Sequence, residues 1–346
     1  MRKSYCLFFC FLFSACGQNP GKTVEEKIDF VVKRSCDKGE FIGNVLVADQ
    51  SKIIYQHGCG MADAKNNIAL NNSTQFLIAS VSKPFTAILI LKLVQQGKLK
   101  LDNKIENYFK ETTGMEIGNV TIHQLLTHTS GLKEGFNNHL NESDPFTPSD
   151  LLYAEFNFKP GTDFKYCNTG YVILKEIAVI TSGTDFVKLM EEYIFTPLKM
   201  DSTGVARDLN KISNLAVGYK TINQQQIEEI SYPMERNDGP GSLYSTALDL
   251  YKLDQALYSD TLLNKSTIDL MLTQHVKEKF GYGWFLRERG GIWDISFHQG
   301  NLPGYSAFLS RRRTNQQLIV ILANATELNL SSLENKIAQI LKKSRT

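Results

Sequence analysis

The chain lacks a strong charge imbalance. Its 346 residues carry 38 Lys and Arg against 36 Asp and Glu. Arg2 and Lys3 fall in an N-terminal segment expected to be removed, and without them the balance is zero. Such a chain has no electrostatic footprint for nucleic acid. The one basic run, Arg311-Arg312-Arg313, stands where a turn is expected and reads as a solvated turn. No Cys/His cluster has zinc spacing and no Gly-rich loop could cradle a phosphate, so neither a metal nor a cofactor is implied. No internal repeat or low-complexity tract stands out. The apolar stretches Tyr5–Phe13 and Pro84–Gln96 are both too short to cross a bilayer. What remains is ordinary for a globular enzyme: 42% hydrophobic and 21% charged residues, in a chain long enough for one large domain or two joined ones.

The N-terminus reads as a targeting segment. Arg2-Lys3 gives a positive start, Tyr5–Phe13 an apolar stretch, and Phe13-Ser14-Ala15-Cys16 an end similar to a bacterial lipobox. Residues 1–15 are therefore expected to be a signal peptide. Cys16 is the expected lipidation site, and residues 16–22 a tether that anchors the protein in the bacterial cell envelope, facing the periplasm, on the outer membrane. An ordinary cleaved secretory signal is the alternative. Cys6 and Cys10 leave with the signal, so Cys36, Cys59 and Cys167 remain in an oxidising compartment. Cys36 ends a helix and Cys59 ends the second strand of a hairpin whose first strand starts near Phe41. These two are a candidate disulfide.

Apolar residues Val24, Ile28, Val31 and Val32 make one helical stripe, with Thr23 as N-cap. Residues 41–49 and 52–59 read as strands around Asp49-Gln50-Ser51. A very apolar helix runs from Pro84 to Gln96. From 101 to about 270 the pattern is helical with long loops, including helices expected at Ser149–Phe156 and Thr169–Thr181. Strands return near 282–287, 292–298, 305–311 and 317–323, before a last helix at 331–343. Strands at both ends with helices between imply a mixed sheet built from the termini and a helical insertion.

Three short strings carry the chemistry: Ser80-Val81-Ser82-Lys83, Tyr166-Cys167-Asn168 and His298-Gln299-Gly300. Ser and Lys three apart at a helix start share one face. A Ser hydroxyl is inert without such a base. The Ser-x-x-Lys spacing also occurs at Ser35/Lys38 and Ser130/Lys133, but only Ser80 opens a buried apolar helix, where backbone N–H groups can stabilise an oxyanion. Lys83, desolvated beneath that helix start, is expected to have a pKa pushed down towards neutrality. Tyr166 offers a second proton carrier and Asn168 a neutral amide. Gly300 lets a substrate lie close to the backbone.

In this order the strings resemble the serine β-lactamase and penicillin-binding family, in particular its class C β-lactamase, DD-peptidase and esterase branch. The resemblance continues through Leu125-Leu126-Thr127-His128-Thr129-Ser130-Gly131-Leu132, Phe195-Thr196-Pro197-Leu198-Lys199-Met200, Gly241-Ser242-Leu243-Tyr244-Ser245-Thr246-Ala247, Gly281-Tyr282-Gly283-Trp284 and Gly300-Asn301-Leu302-Pro303-Gly304-Tyr305. It spans about residues 25–340. It implies the α/β plus all-α, β-lactamase/transpeptidase-like fold: a mixed antiparallel sheet from both termini flanked by helices, with a helical insertion. The catalytic domain would cover 23–346, its sheet part about 23–75 and 270–346, its helical part about 80–265, with the site between them.

The resemblance also assigns roles. Ser80 forms an acyl-enzyme, Lys83 takes its proton, and Tyr166 relays the proton to the leaving group. Asn168 bonds the substrate carbonyl and holds Lys83. The backbone N–H groups of Ser80 and Asn301 bind the oxyanion. No cofactor or metal is needed, and a monomer is expected. The family often places Lys, then Thr or Ser, where this chain has His298 and Gln299. Lys with a hydroxyl seats a carboxylate well. His298, with an ordinary pKa of about 6.5, should carry about a tenth of a charge at pH 7.5 and more below pH 6.5. That argues against strong β-lactamase activity. It leaves a serine hydrolase acting on amide or ester bonds of small peptide-like or ester substrates. Alternatives are a β-lactamase or D-alanyl-D-alanine carboxypeptidase, and a slowly acylating penicillin-binding sensor or scaffold.

Overall fold

Two residues with left-handed backbone, Gln50 at φ 50° and Ser51 at φ 57°, fold the first hairpin. A two-residue turn with both central φ values positive matches the right-handed twist of its strands. Those strands are β1 (Gly43–Asp49) and β2 (Lys52–Cys59). The protein is seen here as a computed structural model that describes residues 21–135, 146–222, 225–229, 234–289, 291–326 and 328–345. The signal segment and Cys16 therefore lie outside the described residues. Among the described residues no helix is long and apolar enough to cross a membrane.

Helix α1 (Val24–Asp37) precedes the hairpin. Thr23 caps it: its hydroxyl accepts from the Glu26 N–H, and the Glu26 carboxylate accepts from the Thr23 N–H at 3.0 Å. Cys36 near its end is bonded to Cys59 at the end of β2, with Cα atoms 6.5 Å apart. The hairpin register makes this reachable, since Cys59 pairs with Gly43 at the start of β1. Among the described residues Cys167 is left as a free, buried thiol.

Four later strands complete the sheet: β3 (Phe285–Arg289), β4 (Ile292–Leu302), β5 (Tyr305–Arg312) and β6 (Gln317–Ala323). The order is β3-β4-β5-β6-β1-β2, with every neighbouring pair antiparallel. Thus N-terminal β1 is inserted between β2 and C-terminal β6. Alternation along the strands splits the core. Val45, Val47, Ile319 and Ile321 meet Ile28 and Val32 of α1 and Leu333 and Ile337 of α5 (Leu330–Lys343). Leu46, Ala48, Leu318, Val320 and Leu322 face the helical part. At its centre is α2 (Ser82–Gln95), buried on nearly all sides from Ser82 to Leu93.

Two expectations change. Arg311 and Arg312 are not in a solvated turn; they end β5, and both are buried. Each has a carboxylate partner: Asp254 in α4 (Ala247–Ala256) at 2.7 Å and Glu334 in α5 at 2.6 Å. That pairing is what lets the strand carry two guanidinium groups out of water. The helix expected at 149–156 is a tighter 3-10 spiral, Pro148–Tyr153.

Strand β3 pairs with β4 only as far as Phe297. Residues 298–302 of β4 therefore pair with β5 alone and present their other edge to the 3-10 turn Ala79–Val81. A small sheet of Phe76–Leu77, Leu243–Ser245 and Gly204–Val205 fixes the approach to that turn. These two features place the site.

Candidate active site

Ala79, just before the first string, has a left-handed φ of 47°. That conformation is costly for a residue with a Cβ. It turns the chain sharply from the small sheet into the 3-10 turn and then α2, so that Ser80 faces β4. The Ser82 hydroxyl accepts from the Leu243 N–H at 3.2 Å, which ties the helix start to the small sheet. Ser82 is thus structural.

Lys83 is 0% exposed. Its Nζ stands 3.0 Å from Ser80 Oγ, 2.6 Å from Asn168 Oδ1 and 3.1 Å from the Pro240 carbonyl oxygen. Burial with no adjacent carboxylate pushes its pKa down to about 7, although the charge of Glu134, farther off, pulls the other way. A neutral amine has two N–H donors and one lone pair. The two carbonyl oxygens take the donors, and the lone pair is left for the Ser80 hydroxyl.

Tyr166 lies across Lys83, whose Nζ is 4.7 Å from the ring centroid. Burial raises its phenol pKa further above its ordinary value, so the O–H stays protonated at neutral pH. His128 stacks beside it with ring centroids 4.4 Å apart, and its Nδ1 accepts from the Cys167 N–H at 3.1 Å. His128 therefore orients the Tyr-x-Asn string rather than entering the cleft. Helix α3 (Asn168–Ser182) begins on Asn168. Cys167 gives no side-chain cap to it. The Glu134 carboxylate supplies one, with Oε2 accepting from the Asn168 N–H at 2.8 Å and Oε1 from Asn168 Nδ2 at 2.5 Å.

His298 and Gly300 come from the free edge of β4. An ideal Cβ on Gly300 would lie 2.5 Å from the Ile78 carbonyl oxygen and 2.7 Å from the Ser80 nitrogen. The closeness this glycine permits is to the chain itself: any side chain would push the nucleophile's backbone away from β4. His298 is buried, and its Nδ1 donates to the Gln299 carbonyl oxygen at 2.8 Å. Burial, and next the Lys83 charge, depress its pKa to about 3. The expectation of a ring that charges near pH 6.5 is therefore overturned: burial holds His298 neutral at and around neutral pH.

Ser80, Tyr166, Phe285, His298, Gln299 and Asn301 line a cleft of about 270 Å³. All the residues expected to act from Ser80 to Asn301 thus converge, and only Cys16 falls outside the described residues. A roomier cleft, about 780 Å³, lies at the opposite end of β4 among Tyr258, Asp269 and Arg313; it holds none of the three strings. In the other two Ser-x-x-Lys spacings the lysine is paired with a carboxylate, Lys38 with Glu40 at 3.6 Å and Lys133 with Glu155 at 2.5 Å. Among the described residues no group of three or more His, Cys, Asp or Glu is arranged to hold a metal ion. Sequence reasoning missed three contributors. Phe285 opens a strand, and Pro240 acts through a carbonyl that no side-chain pattern reveals. Glu134 had one signal, its place two residues after the Thr127–Leu132 string.

Comparison with known proteins bears on this geometry. A family model described as Beta-lactamase matches residues 35–342. The chain is 30% identical over 317 residues to penicillin-binding protein 4* of Bacillus subtilis (strain 168), covering 84% of this chain and 70% of that protein. Its structure superposes on a penicillin binding protein from Bacillus halodurans with TM-score 0.76 and 26% identity, over 91% of this chain and 99% of that one. D-amino acid amidase from Ochrobactrum anthropi SV3 shares the fold at TM-score 0.80 and 20% identity, over 93% and 99% of the two chains.

Proposed function

The chain belongs to the beta-lactamase family, and from that membership we propose a serine hydrolase that forms an acyl-enzyme on Ser80 and cleaves amide or ester bonds of small peptide-like or ester substrates. One observation carries the reading. A fully buried amine with a pKa of about 7 stands 3.0 Å from the Ser80 hydroxyl, with both its other partners neutral carbonyl oxygens. Neutral Lys83 takes the proton as Ser80 Oγ attacks the substrate carbonyl. The oxyanion sits between the backbone N–H groups of Ser80 and Asn301. Collapse of that intermediate breaks the bond to the leaving group. Tyr166, protonated and lying over Lys83, hands a proton to the departing atom and is resupplied from the lysine. Water, deprotonated by the same pair, then attacks the acyl carbon and releases the acid and free Ser80.

The leaving-group end decides among substrates. Family relatives are named for binding penicillin, which makes slow acylation by penicillins the second reading. Penicillins and D-alanyl-D-alanine peptides both carry a carboxylate there. Neutral His298 and Gln299 give it no positive charge near neutral pH. Substrates without that carboxylate are accordingly favoured. Fluorophosphonate labelling lost in Ser80→Ala, with kcat/KM for a neutral ester above that for a cephalosporin, supports the reading. A cephalosporin preference of more than about tenfold, or 1.4 kcal/mol, overturns the substrate assignment. Attachment to the cell envelope through lipid on Cys16 rests on the sequence alone; palmitate labelling that survives Cys16→Ser would refute it.

A further inference from the structure

His123 and His275 lie far apart in the chain and meet beside Tyr282, outside the cleft. His123 belongs to the short helix Ile122–Leu126, and His275 follows the helix Lys265–Met271. Their ring centroids are 5.4 Å apart, with the planes at 89°. His275 also stacks on the Tyr282 ring, centroids 4.1 Å apart. Each imidazole has one nitrogen held by an oxygen. His275 Nε2 donates to the Leu270 carbonyl oxygen at 2.9 Å, and His123 Nδ1 is 2.8 Å from the Tyr282 hydroxyl. A carbonyl only accepts, so His275 carries its proton on Nε2 and its lone pair on Nδ1. A phenol oxygen accepts as well as donates, so it can hold His123 as the tautomer protonated on Nδ1, with the lone pair on Nε2. Burial pushes the Tyr282 phenol up to about 12, so it stays a neutral partner. Burial lowers the pKa of both imidazoles, and the neighbouring His275 lowers that of His123 further, so both rings are neutral at pH 7. Both residues are half-buried rather than sealed.

We propose that His123 Nε2 and His275 Nδ1 together bind one zinc-class divalent cation, with water filling the other positions. Two observations carry this. The first is the spacing: a Zn–N bond of about 2.0 Å sets each ring centroid about 3.2 Å from the ion, and a tetrahedral angle then separates two centroids by about 5.2 Å. The observed 5.4 Å fits. The second is the outer support. A metal-bound histidine has its other ring nitrogen tied to an oxygen, which fixes tautomer and orientation, and both rings here have that oxygen. The ion ties the helix Ile122–Leu126 to the loop that carries Gly283. That loop is anchored by the Tyr282 N–H, which donates to the Met271 carbonyl oxygen at 2.9 Å. It also presses on α2, since an ideal Cβ on Gly283 would lie 2.9 Å from the Lys83 carbonyl oxygen. Binding needs none of the chemistry at Ser80.

The test is calorimetric titration of the untagged full chain, stripped with EDTA, with zinc chloride at pH 7.5. The native protein is compared with His123→Gln, His275→Gln, Tyr282→Phe and a control, His57→Gln, which removes an exposed histidine on β2. The native protein and the control are expected to bind zinc with the same affinity. Each of the two ligand variants should weaken it by about tenfold or more. Tyr282→Phe keeps the stacked ring and loses only the oxygen; it should weaken zinc by about tenfold. Zinc should also raise the urea midpoint of the native protein and leave that of His275→Gln in place, because only a ligand of the folded state stabilises it. The two single-ligand variants lie on different elements, so one that fails to fold leaves the other to decide. No zinc binding by the native protein overturns the proposal. So does a folded His123→Gln or His275→Gln that binds as the native protein does. An affinity lost in His57→Gln marks an adventitious surface ion only, and that too overturns it.

Discussion

Lys83 and Arg311 are sealed from solvent alike, at 0% and 1% exposure. Their surroundings differ in one respect. The Lys83 ammonium meets a hydroxyl and two carbonyl oxygens, all neutral. The Arg311 guanidinium donates through Nε to Asp254 at 2.7 Å and lies 4.7 Å from the centre of the Tyr258 ring. Burial lowers both pKa values. For Lys83 little opposes it, and the value drops to about 7. For Arg311 burial is opposed by the Asp254 charge, by Tyr258 and by the hydrogen bonds to both, which together outweigh it, and the value ends above its ordinary one. A neutral cradle makes a cation that can let go of its proton; a carboxylate partner makes one that cannot. The fold uses the first beside the Ser80 hydroxyl and the second to tie β5 to α4.

The largest expected effect breaks the first half of that contrast. Lys83→Met should lower kcat/KM by about 10⁴-fold or more, since nucleophile and base act as a unit. Stability should stay within about 2 kcal/mol, because the loss of three hydrogen bonds is set against the removal of a buried amine that has no carboxylate partner. Initial rates with a neutral ester and urea denaturation measure the two. Turnover within tenfold of native excludes Lys83 as the base.

Arg311→Met breaks the second half and should do the opposite. It leaves Asp254 buried without its partner, at a cost of about 3–5 kcal/mol. The folded molecules should keep their kcat/KM, because Arg311 pairs with Ser296 on β4 rather than with the stretch facing Ser80. Arg311→Met combined with Asp254→Leu should recover most of the stability in urea. A single substitution costing under about 1 kcal/mol would mean the pair holds nothing together.

The same pair of residues shows what a sequence discloses. Lys83 was legible because everything that matters to it is local: three residues from Ser80, at the start of a helix apolar enough to be buried all round. Arg311 was not. Read locally, three arginines in a row mean water, and the carboxylates that bury two of them lie in helices far along the chain. Glu134 was missed for the same reason, since it acts on a helix start 34 residues away. The Gln50-Ser51 turn is local and the Cys36–Cys59 pair follows from the single hairpin it makes, so both could be anticipated. That β1 is threaded between β2 and β6 could not, because alternation fixes which face a strand buries and not its neighbours.

That disulfide supplies a control for the contrast, a stability loss that moves no charge. Closing a span of 23 residues should contribute about 3 kcal/mol. Cys36→Ala with Cys59→Ala should therefore lower urea stability about as much as Arg311→Met. The folded fraction should keep native kcat/KM and a native pH profile. A changed profile would show that the sheet edge communicates with the cleft.

The smallest effect is the most direct reading of Lys83. The groups facing it, among the described residues, are Glu134, Tyr166, Tyr171, Cys167, His128 and His298. Burial keeps both phenols protonated, raises the Cys167 thiol to about 11 and holds both imidazoles neutral. None of these five changes charge between pH 5.5 and 8, so Lys83 governs that range. With p-nitrophenyl acetate, which does not titrate, kcat/KM should fall about tenfold, or 1.4 kcal/mol, per pH unit below about 7 and level off above it. The sign for stability follows from the same depression. Between about 7 and the ordinary lysine value the unfolded chain holds the proton and the folded one does not, so this group's contribution to stability rises with pH through that window and is at its least favourable below 7. Glu134 holds the Lys83 pKa up, so Glu134→Gln should move the activity limb to lower pH, while Arg311→Met should leave it in place. A profile flat from pH 5.5 to 8 would mean that the neutral cradle does not release the proton, and the difference between the two buried cations would then be one of geometry alone.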